Sequence, residues 1–89
     1  MTARTEEEID QIIQKRLESF LVRLKECGPI DSATERAINQ VNTLAAVAGT
    51  MFLLEDRIRA IDVGGPSAVL RDSIADAIGK TADDLLPRE

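Results

Sequence analysis

The stretch of sequence that decides the fold is AINQVNTLAAVAGTMFLLEDRIRAIDV, residues 37–63. Its apolar centre runs from Leu44 to Leu54 and is interrupted only by Gly49 and Thr50. Four consecutive apolar residues, 51–54, lie about 100° apart around a helix and together surround it. The stretch therefore predicts one long helix that needs more than one neighbour to cover it.

The composition favours an all-α fold. Hydrophobic residues make up 44% of the chain, but aromatic residues make up only 2% and consist of Phe20 and Phe52. A core of Ile, Leu, Val and Ala suits packed helices better than sheets, in which β-branched and aromatic residues predominate. At 89 residues the chain is expected to form a single domain, residues 1–89.

The first helix is predicted at about residues 5–27. Thr5 and Glu8 have the spacing of a capping box, and Gly28 and Pro29 mark the end. Between them, apolar residues recur about every 3.6 positions, the period of a helix with one buried stripe: Ile9, Ile13, Leu17, Phe20, Leu24 and Cys27. Cys27 is expected to be a small buried hydrophobe.

The second helix is predicted at about residues 32–62, with Asp31 or Ser32 as its N-cap. The link after the first helix is only about four residues long, so the two helices should form a long antiparallel hairpin. Ala45 and Gly49 have a small-xxx-small spacing, which could mark a helix crossing.

A short third helix is predicted at about residues 66–78, because Pro66 suits a helix start and Gly79 a helix end. A separate turn is expected at 81–86, before Pro87. The apolar face of this helix is predicted to contain Leu70, Ile74, Ala77 and Ile78, and to cover part of the second helix.

Helix lengths predict association. A second helix of about 45 Å is too long for the first and third helices, of about 35 and 20 Å, to cover. We therefore expect a homo-oligomer, with a homodimeric four-helix-type bundle favoured. The oligomer or partner interface is predicted to comprise Leu44, Ala45, Ala48, Met51, Phe52, Leu54, Ile58 and Ile61.

Glu55 is the only acid that interrupts an apolar seam of the second helix. Candidate partners are Arg4 across the hairpin, Arg59 one turn away and a charge from another subunit. We interpret Glu55 as part of a structural ion pair that sets helix register rather than as a catalytic group.

Sequence motifs for catalysis, metal binding or phosphate binding are weak. The sequence has no histidine and one cysteine, so it lacks the commonest general base and metal ligand. Gly79-Lys80-Thr81 resembles the end of a phosphate-binding loop but lacks the required earlier glycine, since Ile74 stands there. We expect no catalytic residue, metal or cofactor site, and no enzymatic activity.

The function expected from the sequence is that of a non-enzymatic helical oligomerisation or interaction module. It would bind a second copy of itself, and a larger protein partner is a further possibility. One alternative is a small dimeric transcriptional or antitoxin-type regulator that contacts nucleic acid. The other is an accessory subunit of an enzyme complex. Eleven basic and sixteen acidic residues, a net charge of −5, make nucleic-acid binding the weaker hypothesis.

The expected location is the cytoplasm, since a single cysteine suits a reducing compartment. The apolar centre, residues 44–54, is also shorter than the ~20 residues of a membrane span, so no membrane association is predicted.

Overall fold

A computed structural model describes residues 4–88 and confirms the all-α prediction: in this range the chain forms three helices and no strand. They are α1 (Glu6–Glu26), α2 (Ser32–Arg59) and α3 (Pro66–Leu85). The molecule measures 55 × 20 × 17 Å, because α2 is 28 residues long and the other two helices lie along it.

Local signals at the helix starts explain where the elements begin. The Thr5 hydroxyl accepts a hydrogen bond from the Glu8 backbone N–H at 3.1 Å, and the Asp31 carboxylate accepts one from the Thr34 N–H at 2.8 Å. Each satisfies a backbone donor that the first helical turn leaves free. Pro66 occupies the first turn of α3 and follows Gly65, whose φ of 63° favours glycine.

The predicted end of the third helix is wrong. α3 continues through Gly79 to Leu85, so the predicted separate turn at 81–86 belongs mostly to the same helix. Gly79 serves close packing instead: a Cβ at this position would lie 2.5 Å from Oε1 of Glu55 on α2. The prediction for α2 was also too long at its C-terminal end, since the helix ends at Arg59.

The face of α3 that packs on α2 differs from the predicted one. Small residues at helical spacing, Ala75, Gly79 and Ala82, face α2, and both alanines are fully buried. Ala48 of α2 is equally buried. Small side chains allow the two backbones to approach closely. The larger residues Leu70 and Ile74, predicted to cover α2, are 62% and 45% exposed.

α1 lies antiparallel to α2 on a different side. Ile9 and Ile13 are its buried residues, and Ile13 Cδ1 lies 3.0 Å from the position of a Cβ on Gly49. The small residues around Gly49 therefore accommodate α1. Cys27, predicted to be buried, is exposed at the end of this helix.

One cluster of buried side chains connects the three helices. It is formed by Ile9, Ile13, Ala45, Ala48, Phe52, Ala82 and Leu86, with Leu17, Met51, Leu53 and Leu85 partly buried against it. The core is small, which leaves much of the apolar surface of α2 uncovered.

Candidate association surface

The predicted interface residues divide into two groups. Ala45, Ala48 and Phe52 are at most 6% exposed, so the chain itself buries them. Their assignment to an intermolecular surface is therefore corrected: they pack against α1 and α3 of the same chain. The other predicted residues, which remain exposed or half-buried, are Leu44, Met51, Leu54, Ile58 and Ile61.

The accessible residues form a regular row along α2, which Ile61 continues in the turn just after the helix, where its N–H donates to the Ile58 carbonyl oxygen at 3.1 Å. Together with Val47, which is 45% exposed, they follow alternating spacings of three and four residues, as the a and d positions of a coiled coil do. We call this set the α2 seam: Leu44, Val47, Met51, Leu54, Ile58 and Ile61. Val47 was not among the predicted interface residues, although its spacing of three from Leu44 and four from Met51 identifies it.

A second apolar row lies on α3. Leu70 and Ile74 are exposed, Ile78 and Leu85 are half-buried, and all four lie within about 80° on the helix. We call this set the α3 stripe: Leu70, Ile74, Ile78 and Leu85.

Ion pairs show that the two rows lie on the same side of the molecule. Asp83 of α3 pairs with Arg16 of α1 at 2.8 Å, and Asp76 pairs with Arg59. Asp83 marks the flank of α3 nearest α1, and Asp76 lies on the same flank seven residues earlier. At about 100° per residue, the α3 stripe lies on the opposite flank. The α2 seam also points away from α1, because Gly49 contacts Ile13 of α1, and the groove between the two helices is lined on α2 by residues 42, 45, 46, 49, 50 and 53. The α2 seam and α3 stripe therefore form one surface, the association face.

A network of charges holds the opposite side together. Arg4 donates hydrogen bonds to Glu55 at 2.7 Å and to both carboxylate oxygens of Asp56, at 2.9 and 3.1 Å. Its guanidinium also lies 4.9 Å from the Phe52 ring centroid. Arg59 donates to Glu55 at 3.0 Å and to Asp76. Glu55 thus contacts both intrachain partners that the sequence suggested.

The network affects the two arginines electrostatically. Hydrogen bonding to Asp56, and then to Glu55, raises the pKa of Arg4 above its ordinary value. Asp76, followed by Glu55, raises the pKa of Arg59. Both guanidinium groups place positive charge beside the carboxylates. The network links the segment before α1 to α2 and α3.

A groove of about 510 Å³ lies between α1 and α2. Ile9, Ile13 and Ala45 contribute apolar surface, whereas Glu6 and Asp10 place acidic groups along it. Within residues 4–88, no group of three or more Cys, Asp or Glu side chains could hold a metal ion.

α2 also meets the length and composition criteria of a membrane-spanning helix, with a mean hydropathy of 1.3 over 18 residues. The prediction against a span counted only the apolar centre, but residues 37–54 contain no charged side chain. Only 17% of this window is buried, whereas the core helix of a soluble protein that passes the same test is mostly buried. A single helix of this kind is weak evidence for a membrane.

The chain matches no protein-family model, no curated protein and no solved structure.

Proposed function

We propose that this chain is a non-enzymatic helical interaction module that associates through the association face. The observation that carries the proposal is the α2 seam: six apolar side chains at alternating three- and four-residue spacing, on the flank of α2 that α1 and α3 leave open. Such spacing is the pattern by which one helix packs side chains between those of another.

The amount of apolar surface supports this function. At fractional exposures from 40% for Leu44 to 62% for Leu70, the six most exposed side chains of the face leave roughly 550 Å² uncovered, about two thirds of the ~800 Å² that each partner buries in a standard interface. The half-buried members of the face add to this area. The value is at the upper end of the ~300–600 Å² covered by the largest apolar patch of a typical monomer, and such patches are often functional.

The two alternatives draw less support from the charges. A nucleic-acid regulator needs a basic surface, but Arg71 at the edge of the face is held by Asp72 and by the Ile61 carbonyl oxygen, at 3.0 and 2.8 Å. An accessory subunit of an enzyme would use the same apolar face toward a larger partner, which makes it a special case of the proposed module.

Sedimentation velocity of the wild-type chain and two matched variants tests the proposal. Leu54→Glu places a charge at the centre of the α2 seam, whereas Val22→Glu places one on α1, at a 56% exposed valine outside the face. We expect the wild type and Val22→Glu to sediment as oligomers at tens of micromolar, and Leu54→Glu to sediment as the 9.7 kDa monomer. Circular dichroism should give equal helix content for all three.

Two results would overturn the proposal. One is a wild-type chain that stays monomeric across this concentration range. The other is a wild-type chain that binds neutral lipid vesicles as a monomer and sediments with them, while Leu54→Glu does not. A bilayer rather than a protein would then cover the face.

A further inference from the structure

Building on the proposed function, we infer that the partner is a second copy of this chain and that the two copies form a four-helix bundle from α2 and α3 alone. In this bundle the α2 seam of each copy packs against the α3 stripe of the other. The two-fold axis runs parallel to the helices, and α1 lies outside the bundle on each copy. The hairpin that pairs is thus α2–α3, not the α1–α2 hairpin that the sequence suggested.

The two rows lie side by side over part of their lengths. Glu55 is level with Gly79 and Arg59 pairs with Asp76, so α3 residues 74–85 lie level with residues 50–61. Met51, Leu54, Ile58 and Ile61 therefore lie beside the α3 stripe, whereas Leu44 and Val47 extend past its C-terminal end. A two-fold interface uses the same patch on both copies, so each patch must be complementary to itself. The overlapping parts of the two rows meet this condition when each row faces the other row of the second copy.

The contacts within one chain determine which residues meet. Glu55 is level with Gly79, and Arg59 pairs with Asp76, so Leu54 lies at the height of Thr81 and Ile61 at the height of Ile74. A two-fold axis parallel to the helices preserves these heights between copies. Leu54 of one copy should therefore face Thr81 of the other, and Ile61 should face Ile74.

Charge and topology favour the same arrangement. No member of the association face is charged, so the pairing buries no unpaired ion. α3 runs antiparallel to α2 in each chain, so every neighbouring pair in the four-helix bundle is antiparallel, as in the common up-down topology. Pairing of two α2 seams would instead leave the α3 stripes at the edge of the interface.

Disulfide trapping with single-cysteine chains tests the geometry. In a Cys27→Ser background, Leu54→Cys and Thr81→Cys are prepared separately, incubated together and oxidised mildly. Because each chain carries one thiol, every disulfide joins two copies. We expect a cross-linked dimer in the mixture and little in either chain alone. The pair Ile61→Cys and Ile74→Cys should behave in the same way and serves if the first pair misfolds.

The outcomes separate this inference from the proposed function. Strong cross-linking of Leu54→Cys with itself would mean that two α2 seams face each other; the proposed association would stand and the bundle would be refuted. A dimer by sedimentation without cross-links in either mixture would also refute the bundle. A monomeric wild type would refute both proposals.

Discussion

The carboxylate of Glu55 occupies the space where a side chain on Gly79 would stand. A Cβ built on Gly79 lies 2.5–2.6 Å from the carboxyl carbon and both oxygens of Glu55, which Arg4 and Arg59 hold in place. α3 can therefore approach α2 at this level only because residue 79 has no side chain. The glycine lowers the intrinsic helix stability of α3 and at the same time permits its closest packing.

This relationship predicts that the effect of a substitution at residue 79 on stability depends on which residue stands at position 55. In a helix interior, Gly→Ala stabilises by about 1 kcal/mol. In the wild type, however, Gly79→Ala must displace Glu55 from its two arginines, so we expect the free energy of unfolding to fall by roughly 1 kcal/mol. In a Glu55→Ala background the same change should raise it by up to about 1 kcal/mol.

Urea denaturation of the four chains at one protein concentration measures this coupling. Equal effects of Gly79→Ala in both backgrounds would show that the carboxylate does not govern the packing.

Arg4 should contribute more to stability than a typical surface arginine. Arg4→Ala removes three hydrogen bonds to Glu55 and Asp56, carboxylates whose side chains are only 12% exposed, together with the contact on Phe52. We expect the free energy of unfolding to fall by about 1–3 kcal/mol. Lys15→Ala, at an exposed position of α1, should change it by less than about 0.5 kcal/mol. Similar losses from the two variants would contradict a role for the charge network.

Arg16 should hold the C-terminal end of α3. It donates to the Asp83 carboxylate at 2.8 Å, to the Asp83 backbone carbonyl oxygen at 3.4 Å and, just beyond the helix, to the Pro87 carbonyl oxygen at 2.5 Å. Since carbonyl groups at a helix end lack intrahelical partners, Arg16→Gln should loosen the last turn of α3. Hydrogen exchange should then accelerate at the amides of residues 83–86 and remain unchanged in the middle of α2. Lys15→Gln is the control, and uniform acceleration along the chain would indicate global destabilisation instead.

Asp31 makes stability depend on pH. The hydrogen bond from the Thr34 backbone N–H lowers the pKa of this carboxyl below its ordinary value of 3.8. A carboxylate whose pKa is depressed by folding stabilises the folded state above the unfolded-state pKa, and this contribution is lost as pH falls through the folded-state value. Asp31→Ala should therefore lower the melting temperature at pH 7.

The difference between Asp31→Ala and the wild type should shrink progressively below about pH 4. Glu18→Ala, at an exposed position of α1, is the matched control and should change the melting temperature little at pH 7. A difference that stays constant down to pH 2 would mean that Asp31 acts through something other than its charge.

The sequence by itself determined the helical class and most helix boundaries. Capping residues such as Thr5 and Asp31, and the breaks at 28–29 and 64–66, act through hydrogen bonds and backbone preferences within a few residues, so local patterns are sufficient to locate them. The spacing of apolar residues also located most of the exposed row on α2, but not Val47.

Tertiary structure decided what the long helix packs against. Hydrophobicity favoured Leu70 and Ile74 as the buried face of α3, but close approach to α2 selected Ala75, Gly79 and Ala82 because their small side chains let the backbones come together. For the same reason Gly79, a local signal for a helix end, lies inside a helix beneath Glu55. Such choices depend on the distance between two backbones, which no single helix encodes.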